Sequence, residues 1–150
     1  MEIVCDTSFL MVLCSEPVKN LEALQSKFGK LIWLIHPKTV DELTQLEKTA
    51  GTKRSKIANL CLDIIKNQIE NGDFRYLDNN ELDQSGKKNS TNVSVDSVLL
   101  NLSSQKKRPL ATIDKGLRSR ALKKGVDVIT LKNNKIIYVH SKVGSNLNHP

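Results

Sequence analysis

Four acidic residues, Asp6, Glu42, Asp96 and Asp114, hold positions from which carboxylates can do chemistry. Asp6 follows the apolar run Glu2 to Cys5 and Asp114 follows Leu110 to Ile113, so each would stand at the end of a strand. Glu42 and Asp96 lie in segments with helical periodicity. Three or four carboxylates crowded together cannot all stay ionised without a compensating cation. Oxygen donors without His or Cys select hard divalent ions, Mg²⁺ or Mn²⁺, rather than zinc. Such ions suit phosphodiester hydrolysis, one lowering the pKa of a water and a second stabilising the leaving oxygen. Thr7, Ser8 and Thr112 would hydrogen-bond the ligands and position them, or serve as ordinary turn hydroxyls. His36, His140 and His149 show no metal spacing.

Each acid also has a structural alternative. Asp114 can cap a helix starting at Lys115, Asp96 can sit in a first turn favoured by the helix dipole, Asp6 can hold an Asx turn, and Glu42 can be a solvated helix residue. Helical geometry weakens that alternative for two of them. With residues at about 100° intervals, Glu42 falls about 95° from the apolar centre of its helix and Asp41 about 165° away. Asp96 falls about 110° from the apolar centre of its own helix. Boundary acids of this kind can converge with acids at strand ends.

The elements that must position them follow from periodicity and punctuation. Strands are expected at Glu2 to Cys5, Leu31 to Ile35, Phe74 to Leu77, Pro109 to Ile113 and Val126 to Leu131, with Ile136 to Val139 adding an edge. Pro17 suits a helix first turn, followed by Leu21, Leu24 and Phe28 at helical spacing. Further helices are expected from Lys38 to Ala50, Lys53 to Asn71, Ser94 (the N-cap) to Gln105, and Lys115 to Lys124, with Gly51, Gly72 and Gly125 as stops. Asp78 to Asn92 is polar and reads as a mobile loop. Alternating strands and helices argue for a three-layer α/β/α sandwich with a mainly parallel central sheet, where ligands bind at the carboxyl ends of strands. Residues 1–140 form the expected domain and residues 141–150 a flexible tail.

Composition sets the limits. The chain has 150 residues, of which 39% are hydrophobic, enough for one core built mainly from Leu, Ile and Val because only three Phe, two Tyr and one Trp are present. A net charge of +7 favours polyanionic partners, although solvated helix faces account for lysines equally well. The cations concentrate at Lys53-Arg54-Lys56, Lys106-Lys107-Arg108 and Lys115 to Lys124. Cys5, Cys14 and Cys61 are odd in number and lack CxxC spacing, which with the absence of a secretory signal leads us to expect a soluble, cytoplasmic protein. No apolar stretch approaches the roughly 20 residues needed to span a bilayer.

The blocks IVCDTSFL, TVDELTQL, VSVDSVLLNLS and PLATIDKGLRSRALKKGVDVITL resemble, in order, those of the PIN-domain superfamily. The Thr-x-Asp block ending in KKGVDVITL is the most specific, and the similarity runs from Glu2 to Val139. The resemblance implies a metal-dependent endoribonuclease, either a VapC-type toxin or a ribosomal-RNA processing nuclease. It implies Asp6, Glu42, Asp96 and Asp114 as the acidic metal-site residues, binding Mg²⁺ or Mn²⁺. The terminal DVITLKNNKIIYV is closer to the archaeal rRNA-processing branch. Expected partners are RNA (rRNA or tRNA), a second copy of the chain in a homodimer, and an antitoxin or ribosome-assembly protein. Lys53, Arg54, Lys115, Arg118 and Arg120 would neutralise phosphates, and the scarcity of aromatics argues against extensive base stacking.

Two other readings fit the same residues. A phosphatase forming an aspartyl-phosphate on Asp6 would want a second Asp two residues on, where this chain has Ser8. A non-catalytic RNA-binding or assembly module would keep the acids for folding or metal affinity.

Overall fold

Side-chain alternation along the strands decides the layering. The structure, a computed structural model, describes residues 1–78, 81–82 and 94–141. Its strands are β1 (Glu2–Cys5), β2 (Ile32–Ile35), β3 (Phe74–Tyr76), β4 (Leu110–Ala111), β5 (Val128–Lys132) and β6 (Ile136–His140). Successive strand residues point to opposite faces. Ile3, Cys5, Trp33, Ile35, Ala111 and Ile129 therefore enter one buried cluster, while Val4, Leu34, Leu110 and Val128 enter another. Burial on both faces is why these strands read as unbroken apolar runs.

Helices cover both faces. On the first lie α1 (Thr7–Ser15), α2 (Leu21–Phe28), α3 (Pro37–Thr49) and α4 (Thr52–Gln68), which contribute Phe9, Leu24, Leu43 and Ile65 to that core. On the second lie α5 (Val95–Lys106) and α6 (Lys115–Lys123), with Leu99, Leu102, Leu117 and Ala121. The sheet order is β3-β2-β1-β4-β5-β6, with every pairing parallel except β5 with β6. The expected three-layer, mainly parallel architecture is what the chain adopts. From β1 the chain builds outward through β2 and β3, then returns to add β4 on the other side. The crevice between β1 and β4 is thus the topological switch point, where open α/β sheets bind ligands.

Two expectations need correcting. The helix after Pro17 does not begin there: Lys19 N–H donates to the Lys135 carbonyl at 2.7 Å and Ile137 N–H donates to the Lys19 carbonyl at 3.1 Å. The segment is drawn along β6, satisfying edge groups that would otherwise be open, and α2 starts only at Leu21. Secondly, no element was expected between the strand end at Asp6 and Pro17, and the apolar run there is α1, which begins at Thr7. The Asp78 to Asn92 expectation falls largely outside the described residues, as does residues 142–150 of the tail. Of its described residues, Glu81 N–H donates to Asp78 Oδ1 at 2.8 Å and Asp78 N–H to Glu81 Oε1 at 3.3 Å, a reciprocal pair of the capping-box kind.

Candidate functional site

β1 ends at Cys5, and the next residue turns the chain into α1. Asp6 N–H still belongs to the sheet, donating to the Ala111 carbonyl at 2.9 Å. The Asp6 carboxylate lies only 7% exposed and is fixed by three donors: Thr7 N–H on Oδ1 at 2.8 Å, and the Ser8 and Thr112 hydroxyls on Oδ2 at 3.0 and 2.9 Å. A carboxylate offers about four lone-pair sites, so at least one remains for a ligand. Thr112 also accepts from Asp114 N–H at 3.0 Å and so ties the two strand-end acids together. Asp114 does cap a helix: its Oδ1 accepts from Leu117 N–H at 2.9 Å. Capping uses one oxygen and leaves the second available. The structural and chemical roles of this residue are compatible.

The two helical acids complete the arrangement. Glu42 is exposed along much of its length, yet its Oε1 accepts from the Thr7 hydroxyl at 3.2 Å. Asp96 stands in the first turn of α5, whose N-cap Ser94 accepts from Ser97 N–H. All four acids line one cleft of about 690 Å³. Loss of hydration against the cleft wall pushes the Glu42 pKa up; the Thr7 hydroxyl opposes this, and Asp6 and Asp96 add to it. Asp96 is raised first by desolvation, then by Asp6 and Asp114, with Arg120 working the other way. The acids therefore feel one another. Asp41, as its helix position predicts, is exposed and absent from the cleft.

Among the described residues no three acidic, Cys or His side chains are already drawn together as a ready-made ion cage. The donor set still fits a hard ion: it is all oxygen, and His36 is committed elsewhere, with Nδ1 accepting from Lys38 N–H at 2.9 Å. Magnesium in particular keeps several waters and needs only one or two carboxylates.

The cations divide. Lys53 and Arg54, at the start of α4, line the cleft, whereas Lys115, Arg118 and Arg120 do not. Arg120 instead reaches across to α5, donating from Nη2 to the Ser97 hydroxyl at 3.1 Å beside Asp96. Sequence reasoning missed the rest of the wall. Met11, Leu46 and Ile57 make one side apolar, and Asn134 closes it from the β5–β6 turn. Asn133 and Asn134 both have positive φ, 54° and 56°, in a tight turn where Lys135 N–H donates to the Lys132 carbonyl. Adjacent asparagines between two apolar runs were the available signal.

Gly116 offers a sharp check on the Asp114 position. A Cβ there would stand 3.2 Å from Asp114 Oδ1, inside ordinary contact distance. On the metal-site expectation drawn from the sequence, Gly116→Ala should push that carboxylate by a few tenths of an ångström and weaken Mn²⁺ binding by about ten-fold, the size typical of a disturbed ligand support. Isothermal titration with Mn²⁺ reads this directly; unchanged affinity would count against Asp114 as a ligand held in place by its helix turn.

An α/β sheet with an acidic cleft at its switch point defines a recognisable class of ligand-binding domain. The chain belongs to the PIN-like domain family, whose pattern matches residues 3–134. Its fold is similar to that of the PIN domain endonuclease Utp24, with a TM-score of 0.61 at 19% identity over 93% of this chain and 92% of that one. It is also similar to a domain of a functionally unknown protein from Methanocaldococcus jannaschii DSM 2661, with a TM-score of 0.57 at 14% identity over 87% and 91% of the two chains. At such identities the likeness is one of fold. No curated protein matches the sequence. The superfamily expected from the motifs is the one found. Among the described residues no helix is long and apolar enough to cross a membrane.

Proposed function

We propose that this chain is a metal-dependent endoribonuclease that hydrolyses RNA phosphodiester bonds. The observation that carries the reading is the convergence on one cleft of four carboxylates, two from strand ends and two from helices. The likeness to an endonuclease fold supports it. Asp6, Glu42, Asp96 and Asp114 would hold Mg²⁺ or Mn²⁺, which when bound supplies a water of lowered pKa and a counter-charge for the leaving oxygen. The protein's own part is orientation. Thr7, Ser8 and Thr112 hold Asp6, Thr112 hands that order on to Asp114, and Thr7 spans from Asp6 to Glu42. The apolar wall of Met11, Leu46 and Ile57 offers water no hydrogen bonds along one side of the cleft.

The substrate expected is a cellular RNA such as rRNA or tRNA, met in the cytoplasm, in processing or in a toxin-type role. A homodimer and an antitoxin or ribosome-assembly partner belong to the same proposal. The test is cleavage of single-stranded RNA, hairpin RNA and DNA side by side, with Mg²⁺, with Mn²⁺ and with chelator. Cleavage of RNA that chelator abolishes is the expected result. Binding without cleavage under every condition would leave an RNA-binding module and overturn the catalytic reading.

A cleft of carboxylates repels RNA unless cations flank it, and Lys53 and Arg54 are the cations on its wall. The double variant Lys53→Glu, Arg54→Glu is expected to weaken binding of a short RNA in chelator by at least about ten-fold and to flatten the slope of log affinity against log salt by roughly one to two units. Fluorescence anisotropy across a salt series measures both; an unchanged slope would remove these residues from the RNA path.

A further inference from the structure

Cys5, Cys14 and Cys61 all enter the core on the first face of the sheet, Cys5 and Cys61 fully buried and Cys14 half-buried. α1 packs against α4, and the face that α4 turns to it can be followed by helical spacing. Ile57 lines the acidic cleft together with Met11 and Val12 of α1. Ile64 and Gln68 line another cavity, of about 280 Å³, together with Leu13 and Cys14. Cys61 lies on the same stripe, four residues after Ile57 and three before Ile64. It therefore stands in the partition between the two cavities, where Cys14 meets α4. The contact is made: the Cys61 thiol is within hydrogen-bond reach of Cys14 and acts as its donor.

Two thiols in contact can be oxidised to a disulfide when one of them meets an oxidant as a thiolate. Cys14 has the access, because it lines the cavity and is not fully covered. It also has the chemistry, because the hydrogen bond from Cys61 lowers its thiol pKa against the opposing effect of desolvation. Cys61 is held protonated, first by that same hydrogen bond and then by burial. Cys5 differs. Burial pushes its thiol well up, and it donates to the Ile3 carbonyl at 3.5 Å. The ordinary role of a core cysteine, a small apolar filler, accounts for Cys5. It accounts neither for the contact between the other two nor for the opening beside Cys14.

We propose that Cys14 and Cys61 form a dithiol modification site that hydroperoxides convert to an intramolecular disulfide. The Cys14 thiolate attacks one oxygen of hydrogen peroxide and the O–O bond breaks, giving a sulfenic acid and a hydroxide. The hydroxide takes up the proton that Cys14 released and leaves as water. The Cys61 sulfur then attacks the Cys14 sulfur, its proton going to the departing hydroxyl, and a second water is expelled. Two thiols are oxidised and one peroxide is reduced to two waters. The bond ties α1 to α4 behind the wall of Met11, Val12 and Ile57, and so fixes one side of the acidic cleft. It stands whether or not the chain cuts RNA.

The test treats the folded full chain with hydrogen peroxide in the presence of chelator, then blocks free thiols with N-ethylmaleimide in denaturant. Intact mass and peptide mapping read the result. The expected product is a monomer with one blocked thiol, at Cys5, where the untreated chain has three. Its map contains a peptide pair joined through Cys14 and Cys61 that a phosphine reductant separates. Cys61→Ser should stop at the Cys14 sulfenic acid, which dimedone traps, and Cys14→Ser should leave Cys5 and Cys61 reduced. The map of the native chain decides the site even if a substitution in the core unfolds a variant. Three free thiols after treatment, a cross-link that includes Cys5, a covalent dimer, or Cys14 oxidised without a bond to Cys61 would each overturn it.

Discussion

Asp6→Asn is expected to lower metal-dependent RNA cleavage by on the order of a thousand-fold, without loss of thermal stability. The two halves of that expectation have one cause. Asp6 is the most buried of the four acids and is surrounded by donors, so its geometry is fixed before any ligand arrives. Asn keeps the shape and one acceptor oxygen, which can still take the Thr7 amide. Its NH₂ faces the Ser8 and Thr112 hydroxyls, and these can rotate to accept. What is lost is the charge. That charge raises the pKa of both Glu42 and Asp96, so each is expected to fall back toward the ordinary carboxylate range in the variant. Relief of the repulsion means that the melting temperature should hold or rise, the usual trade of a strained site for stability. Single-turnover cleavage, calorimetry and carboxylate NMR titration together read all three consequences. Equal cleavage by the native chain and Asp6→Asn would sink the catalytic assignment. Thr112→Val makes a graded companion: it keeps all four acids but removes the bridge between Asp6 and Asp114, and should cost about 10–100-fold in activity and metal affinity, recovered by Thr112→Ser.

How much of this was legible beforehand depended on the range of the interaction. Strand ends, glycine stops and the Ser94 cap are local, and the acids at positions 6 and 114 could be placed at the carboxyl ends of strands from them. Glu42 and Asp96 were readable as boundary residues because helical phase is local too. α1 was hidden for a physical reason: Thr7 to Ser15 packs against both the sheet and α4, so it is apolar nearly all round and shows no 3.6-residue rhythm. The apolar wall of the cleft needed the packing of α1, α3 and α4, which periodicity does not give. The cations lining the cleft could not be sorted from the rest either. Lys53 and Arg54 enter the cleft, while Arg120, closer in sequence to an acid of the site, is engaged with Ser97. The capping arrangement of Asp78 and Glu81 was visible as D-x-x-E, but its surroundings in a polar, apolar-poor stretch concealed it.

Glu81 carries the largest expected effect on stability, because it ties four distant segments together. Arg75 donates from Nη1 to Glu81 and from Nη2 to Glu2, each at 2.8 Å, and Arg108 pairs with the same two carboxylates. The result is a closed ring linking β1, β3, the approach to β4 and Glu81. Both Glu81 and Arg108 are largely shielded, with side chains 12% and 14% exposed, whereas Glu2 and Arg75 are each 37% exposed. The Arg75 guanidinium, helped by Arg108 and the Asp78 amide and opposed by desolvation, holds the Glu81 carboxyl down at about 2. A depressed carboxylate pKa stabilises the fold above its unfolded value, near 4.3, and that contribution is lost as pH falls toward about 2. Discounted for the exposed partners, the contribution at neutral pH is about 2–3 kcal/mol. Glu81→Gln should therefore lower the melting temperature by about 5–10 °C at pH 7 for a chain of this size. The gap between native and variant chains should narrow once pH drops below about 4 and vanish only below about 2, where protonation makes the native residue neutral as well. Paired thermal scans across that window decide the matter. A gap that stays constant with pH would show that Glu81 acts through packing alone, and the absence of any gap would show that the ring contributes nothing to the folded state.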